Sequence, residues 1–494
     1  MLDFSKIEQY RENNRIEAKK AVGGLPKSIW ETYSAFANTY GGLILLGVEE
    51  QRDKSLHPVQ LPDPEKLIRE FWDIVNNPSK VSVNLLSARD VFIQEADGCS
   101  IVVICVPRAE RSYKPVYIDG NPLNTYRRNG EGDYRCTKEE YQAMVRDASI
   151  KSADMLILEE MNLTALNAES VRSYRRRMHV SRPGHVWEAL EDESFLMKIG
   201  AAGIGPDGEK HPTSAGLLMF GSEYEIVREF NSYFLDYQEQ YDADNRWTDR
   251  IISSSGDWSG NVYDFYFRVY NKLIRDIRIP FKLDGGTRID DTPVCQALRE
   301  ALANCLVNAD YYGRQGLVIV KKPESITLSN PGSFRMEIDA AKSGGVSDPR
   351  NAAMLKMFNL IDIGERAGSG IPNIYRVWRT QGWPEPVITE QTAPDRTTVY
   401  LSMPESGDKK AAIKSDDKKA TIKSGDKKAA IKSAWQKDEI LAYLTDHVSA
   451  RTSDIAALLG VKSTRAKTLL AEMTAEGSIT AEGSNRNRVY KLKA

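Results

Sequence analysis

A chain of 494 residues, 41% hydrophobic and 28% charged, is too long for one hydrophobic core and reads as a globular α/β protein of several domains. The formal net charge of −2 gives no reason to expect a polyanion partner, but from Ser406 onward eighteen Lys and Arg face eleven Asp and Glu, a tail of about +7 on a body of about −9. Five cysteines without CxxC spacing argue against a disulfide framework or a zinc site, and the polar start and lack of a long apolar run leave no signal peptide or membrane partner, so a cytoplasmic protein is expected.

Residues 1–148 read as an α/β unit. A helix started by Pro26 runs to Tyr40, turns at Gly41-Gly42 and enters an apolar strand, Leu43–Val48. A helix over Asp63–Asn76 follows, then strands near Val81–Asn84, Val91–Glu95 and Ile101–Val106. Thr137 with Glu140 three residues on is a capping box for a further helix. Gly41-Gly42 suits a tight helix-to-strand turn that tolerates positive φ.

The run Glu12-Asn-Asn-Arg-Ile-Glu17-Ala-Lys19, then Ser34-Ala-Phe-Ala-Asn-Thr39, Gly41-Gly42 and the strand to Glu50, resembles the Schlafen AlbA-type domain over about 130 residues, including Tyr126–Gly130 and Gly132–Arg135. In members of that family that cut structured RNA such as tRNA, two spaced glutamates and an acid after the apolar strand form a metal-dependent site. By position these are Glu12, Glu17 and Glu50, a set for Mg²⁺ or Mn²⁺ that would activate water against a phosphodiester. Here Ala18 and Glu50 stand where the nuclease pattern has an aromatic residue and an Asp. Many bacterial members instead bind DNA or RNA without cutting it. On that reading the acids are surface groups, and Lys19, Lys114, Arg127, Arg128 and Arg135 face phosphate. The resemblance also implies a homo-oligomer, with a dimer as its simplest form.

Residues 149–290 read as a connecting α/β region with loops at Gly203–Gly208 and Ser253–Gly260. The basic run Arg172, Arg175, Arg176 and Arg177 reads as a solvated helix face. Residues 291–404 alternate helix and strand and end in Thr397–Leu401. One helix places Glu300, Asn304 and Asn308 four apart, on one face. Downstream stand Asn330-Pro-Gly332, Arg350-Asn351 and Gly364–Ile371, which includes Gly368 and Gly370. Together these resemble the GHKL-type ATPase module, an α/β sandwich that follows AlbA-type domains in bacterial proteins labelled RecG-like or transcriptional regulators. The resemblance gives Glu300 the role of activating water, Asn304 that of holding Mg²⁺, and Asn308, Gly332, Gly368 and Gly370 that of cradling ATP. Asn330-Pro-Gly332 replaces the adenine-reading Asp and its spaced glycines, so ATP binding is expected ahead of rapid hydrolysis. No GxxxxGK[ST] loop is present, and a P-loop helicase is not expected.

Residues 405–433 hold three nonapeptide units, SGDKKAAIK, SDDKKATIK and SGDKKAAIK, too short to bury a core and read as a lysine-rich tether. Residues 434–494 read as helix (Gln436–Asp446), helix (Ser453–Leu459), Gly460 turn, helix (Ser463–Glu476) and a hairpin of Ser478–Ala481 with Val489–Leu492, the order of a winged helix-turn-helix. Ile455, Leu458, Leu459, Ala466, Leu469, Leu470 and Met473 form its core. Lys462, Thr464, Arg465, Lys467, Arg486 and Arg488 are its candidate nucleic-acid contacts. The expectation is a DNA-binding, ATP-binding regulator; the alternative is a metal-dependent endoribonuclease of the Schlafen kind.

Overall fold

A computed structural model describes residues 3–241, 246–275, 283–284, 287–288, 292–364, 368–392, 394–404, 440, 444, 449–458, 463–475, 478–482 and 488–492. The chain divides into two compact units, Met1–Ser406 and Gly407–Ala494. The lysine-rich repeats lie outside the described residues.

The first unit begins with a four-stranded sheet built from β1 (Ile16–Lys19), β2 (Gly42–Leu46), β5 (Val91–Ala96) and β6 (Cys99–Val106), in the order β1-β2-β6-β5. Strand β1 runs parallel to β2; the other pairings are antiparallel. A small hairpin, β3 (Val48–Glu50) with β4 (Leu56–Pro58), continues from β2. Helix α1 (Ile29–Asn38) and helix α2 (Pro64–Val75) cover one face, where Ile29, Tyr33, Phe36 and Phe71 meet Ile44, Leu46 and Ile104. Asp63 caps α2 by accepting from the Lys66 N–H, and Pro64 takes the position where a missing N–H costs nothing. Val81–Asn84, expected as a strand, makes only one isolated bridge, Val81 to Ile118. Hairpin β7 (Tyr126–Asn129) with β8 (Gly132–Arg135) and helix α3 (Lys138–Ala148) complete this part, and the Thr137–Glu140 capping box forms.

Residues 149–290 do not stand apart, which corrects the boundary expected at 290. Helices α4 (Ala168–Ser181), α5 (Asp192–Ile199), α6 (Ser214–Phe220), α7 (Glu223–Glu229) and α8 (Val262–Ile274) share one apolar core with the following region, from Leu158 to Leu401. The loop at Gly203–Gly208 belongs to a hairpin of β9 (Ala202–Ile204) and β10 (Lys210–Pro212). Strands β11 (Leu235–Glu239) and β12 (Asp249–Ile252) extend a sheet whose other members are β15 (Leu317–Lys322), β16 (Ser325–Pro331), β17 (Val387–Thr392) and β18 (Asp395–Ser402). The order is β12-β11-β15-β16-β18-β17, with β11 and β15 parallel. A two-residue pair, β13 (Leu283–Asp284) with β14 (Thr287–Arg288), lies between.

Helix α9 (Pro293–Val307) packs on this sheet. Thr292 caps it, Pro293 starts it, and Leu298, Leu302 and Leu306 are fully buried, each contributing about 1.5–3 kcal/mol by removal from water. Helices α10 (Ile338–Ser343), α11 (Ala352–Leu360) and α12 (Gly370–Gln381) follow. Within the basic run of α4, Arg175 is docked: it pairs with Asp192 and donates to the Glu188 and Leu190 carbonyls. Arg172, Arg176 and Arg177 are exposed, as expected of a solvated face.

In the second unit, helices Thr452–Leu458 and Ser463–Ala475 precede an antiparallel pair, Ile479–Glu482 with Val489–Leu492. Ile455, Ala466, Leu469, Leu470 and Met473 are buried as expected, with Ile440, Leu444, Ile479 and Tyr490. Leu458 is 36% exposed, because it ends its helix, and Leu459 lies outside the described residues. Most of the first expected helix lies outside them too.

Candidate nucleotide cleft and nucleic-acid surface

The polar residues of α1 explain why its segment has so distinctive a sequence. Ser34, Asn38 and Thr39 are buried. The Asn38 amide donates to the carbonyls of Val116 (2.7 Å) and Tyr126 (3.1 Å) and accepts from the Val116 N–H (2.9 Å). The Thr39 hydroxyl accepts from the Arg128 N–H at 2.9 Å. These bonds pin β7 against the helix. Gly41, at φ +69, has the Arg108 N and Val106 O where a Cβ would stand, both at 2.8 Å, so a side chain is excluded there.

Pinning β7 places Arg128 beneath the candidate carboxylates. Its guanidinium is 1% exposed, stacks over Phe36, and pairs with Glu17 (2.8 Å) and Asp133 (2.9 Å) while donating to the Asn13 and Ile16 carbonyls. Lys19 closes on the other Glu17 oxygen at 2.8 Å. Glu12 accepts from the Ala18 N–H, and Glu50 lies 3.4 Å from Lys54. Burial raises the Glu12 carboxyl above its ordinary value; the Ala18 N–H opposes this, and the charges of Glu17 and Glu50 reinforce it. The three glutamates therefore share one field. Glu17 Oε2 and Glu50 Oε1 are enclosed without a hydrogen bond; the Arg128 contact to Glu17 Oε2 is close enough for an ion pair but misaligned for a hydrogen bond. Among the described residues no three acidic, His or Cys side chains gather tightly enough to hold a metal ion. As placed, the expected Mg²⁺ or Mn²⁺ ligands Glu12, Glu17 and Glu50 do not form a coordination set.

Four of the five cations expected to face phosphate are turned inward. Besides Arg128 and Lys19, Arg127 reaches Asp395 (2.7 Å), Glu140 (3.4 Å) and the Thr392 carbonyl, and half-buried Lys114 donates to the Asn38 carbonyl at 2.9 Å. The correction has a simple cause: charge composition does not reveal the carboxylate or carbonyl that a distant strand brings alongside. Arg135 alone of the five is exposed, over the Tyr126 ring and next to exposed Tyr134.

The second site is a cleft of about 120 Å³ between α9, β16, β18 and α12. Glu300, Asn304 and Asn308 line it as their spacing implied, together with Asn330, Gly368 and Gly370. The Asn304 amide donates to Glu300 at 3.3 Å. Gly370 opens α12 against the Glu300 carboxylate: a Cβ there would lie 2.2 Å from Glu300 Oε1. At the opposite end Asn330 and Thr397 are cross-strand partners, and Ile371, Ile374, Ile388 and Val399 form apolar walls. Gly332 does not line the cleft. It has φ +98 and abuts Arg350, whose Nη1 would lie 2.3 Å from a Cβ. Asn308, at the C-terminal cap of α9, is largely engaged by Arg350, which donates to its carbonyl (2.6 Å) and, through its own N–H, to its side-chain oxygen (3.3 Å). Mostly apolar walls with a few convergent polar groups suit a nucleotide base and its phosphates, and Glu300 with Asn304 supplies oxygen donors of the kind a Mg²⁺ ion takes.

Two long-range ion pairs join this cleft to the N-terminal part. Arg108 forms a bidentate pair with Glu390 (2.7 and 3.0 Å) and donates to the Phe334 carbonyl, while the Phe334 N–H donates to the same Glu390. Asp147 takes two bonds from Arg350 (2.7 and 2.9 Å); burial opposes its ionisation, but the Arg350 charge outweighs it and lowers its carboxyl. No local pattern marks these pairs, since their members lie hundreds of residues apart.

In the second unit Lys467 and Arg488 are exposed. Thr464 and Arg465 fall on helix Ser463–Ala475, at positions whose side chains lie outside the description, and Lys462 and Arg486 lie outside the described residues.

Residues 12–137 match the family "Schlafen, AlbA_2", residues 142–236 a "Domain of unknown function (DUF8451)", residues 319–401 "Putative ATP-dependent DNA helicase recG C-terminal" and residues 436–486 "FaeA-like protein". No curated protein matches the chain. Among solved structures, the DIP2311 protein of Corynebacterium diphtheriae is 15% identical, with 97% of this chain and 92% of that one covered and a TM-score of 0.41. The N-terminal domain of a RecG-related protein of Nitrosomonas europaea is 33% identical, covering 28% of this chain and 95% of that one, with a TM-score of 0.23.

Proposed function

We propose that this chain, with its Schlafen AlbA_2 segment and its RecG C-terminal segment, is a nucleic-acid-binding regulator whose grip is set by a nucleotide in the α9–α12 cleft. One observation carries the reading. The segment Ser333–Arg335, which follows β16 and forms one wall of the cleft, is bonded on its other side by Arg108 of the N-terminal part. A ligand that shifts this wall therefore acts directly on the domain that resembles nucleic-acid binders. ATP with Mg²⁺ is the proposed ligand, with Asn304 and Glu300 at its phosphate end and Asn330 and Thr397 at its base. The Mg²⁺ would neutralise phosphate charge there. Exposed Arg135 in the first unit, and Lys467 and Arg488 in a second unit read as a winged helix-turn-helix, are the proposed phosphate contacts. A dimer would double these contacts.

The test is binding of duplex DNA and of structured RNA to the full chain across a salt series, with and without ATP. The reading expects strongly salt-dependent binding that changes with ATP and weakens when residues beyond Ser406 are removed. Binding indifferent to salt and to ATP overturns it. A second reading, metal-dependent cleavage of structured RNA, is favoured by the two enclosed glutamate oxygens, Glu17 Oε2 and Glu50 Oε1, that lack hydrogen bonds. It expects Mn²⁺-dependent cutting that stops with EDTA and in Glu12→Ala. Intact RNA under those conditions removes it.

A further inference from the structure

Behind the Ser333–Arg335 wall of the cleft lies a second, smaller cavity at the seam with the N-terminal part, lined on that side by Arg108, Arg111, Lys114 and Arg127 and closed by Arg335 and Asp395. Two of these cations are already matched. Arg108 pairs with Glu390, and Arg111 pairs with Asp348 at 2.5 Å and donates to the Asp147 carbonyl. The other three keep donors to spare: Arg127 reaches Asp395, Glu140 and the Thr392 carbonyl only through its terminal nitrogens, and Arg335 reaches the Pro349 and Asp147 carbonyls only through its own. Arg127 Nε and Arg335 Nε are enclosed without any hydrogen-bond acceptor, on side chains each only 9% exposed.

The acids nearby do not fill this deficit. Asp395 Oδ1 is 2.7 Å from Arg127 Nη2, yet it is itself without a hydrogen bond. Asp348 is 3.5 Å from Arg335 Nε, and Asp147 is held by Arg350. Enclosed guanidinium N–H groups rarely lack acceptors in folded proteins, so two at one small cavity call for an acceptor. Lys114 adds a third donor, its ammonium holding only the Asn38 carbonyl. The interior, about 30 Å³, has room for about two waters or one compact tetrahedral oxyanion in their place.

We propose that this cavity binds a free tetrahedral oxyanion, phosphate or sulfate, through Arg127, Arg335 and Lys114. The site is separate from the nucleotide cleft and does not depend on that reading, although an anion there would stiffen the wall the two share. Burial, then the charges of Arg108 and Arg127, pull the Lys114 ammonium down to about 7, against the pull of Glu390 and Asp395; the neighbouring Cys136 thiol is itself pushed up by burial. Occupancy by an anion should therefore weaken as Lys114 gives up its proton.

The experiment is calorimetric titration of sulfate, and separately of phosphate, into the full chain at constant ionic strength held by chloride. One saturable site per chain is expected, at least tenfold weaker in Arg335→Gln and in Lys114→Met. Lys114→Met keeps the apolar stem and removes a desolvated charge, so it tests the site even if Arg335→Gln does not fold. Sulfate keeps its charge between pH 6 and 8, and its affinity should fall by up to about tenfold per pH unit above 7 in the native chain but not in Lys114→Met. Absence of saturable binding, or binding unchanged in Lys114→Met, overturns the proposal. So does competition by ATP for the sulfate, which would mean that the anion detected is a nucleotide phosphate in the cleft; sulfate binding that persists in Glu300→Gln and is untouched by ATP supports a free oxyanion at the seam.

Discussion

The two candidate sites use conspicuous polar residues in opposite ways. In the N-terminal part the distinctive residues are consumed by the fold: Asn38 and Thr39 pin β7, and Arg128 neutralises Glu17 and Asp133. In the cleft, Glu300, Asn304 and Asn330 stay on the wall of an open cavity, with apolar neighbours behind them. A recurring motif can thus mark a scaffold as readily as a site. What separates the two cases is whether its polar groups also line a cavity.

Removing Arg128 is the strongest way to test that contrast. Arg128→Ala leaves the largely buried Asp133 without its cation and Glu17 with Lys19 alone, and should cost about 3–5 kcal/mol, read from urea denaturation. A loss below about 1 kcal/mol would mean that Arg128 is free to serve a ligand instead. Gly370→Ala probes the other region. The new methyl collides with Glu300, costing about 1–3 kcal/mol, and should lower ATP affinity at least tenfold while leaving DNA binding without ATP unchanged. Unchanged ATP affinity would place the nucleotide elsewhere.

Arg108→Met addresses the link between the regions. The effect of ATP on nucleic-acid affinity, about 1–3 kcal/mol for ordinary coupling, should vanish while each ligand still binds alone. Coupling that survives would route it through another contact. The smallest effect belongs to Glu12. Its folded carboxyl is raised, so its contribution to stability is greatest at low pH and is lost as pH rises through the folded value. Glu12→Gln should therefore raise the urea midpoint slightly at pH 7, with the gain disappearing in acid. A loss of stability at pH 7 would show that the ionised form is held by a favourable partner.

Much of the local architecture was legible. Pro26 with Gly41-Gly42 bracketed α1, Thr137 and Glu140 announced α3, and four-residue spacing put Glu300, Asn304 and Asn308 along one helix that lines the cleft. What failed was long-range pairing. Nothing around Leu235–Glu239 declares that it will lie parallel to Leu317–Lys321, and so residues 149–290 read as a connector. Arg127 likewise reads as a surface cation until Asp395 arrives beside it from the far end of the sheet. Val81–Asn84 has strand-like residues but only a single bridge, so its pattern had no sheet to join.

The strand order of the six-stranded sheet sets a timetable for synthesis. The N-terminal four-stranded sheet has all its strands within the first hundred or so residues to leave the ribosome. Strands β11 and β12 emerge next and can pair with each other, but one edge stays open until β15 is made some seventy residues later. Strand β17 waits as well, since its only neighbour in the sheet is β18, which follows it. For much of its translation the chain carries an unpaired strand edge, the feature that makes nascent proteins prone to aggregate. Its folding yield should therefore depend more on how fast residues 240–402 are delivered than on the stability of the finished fold.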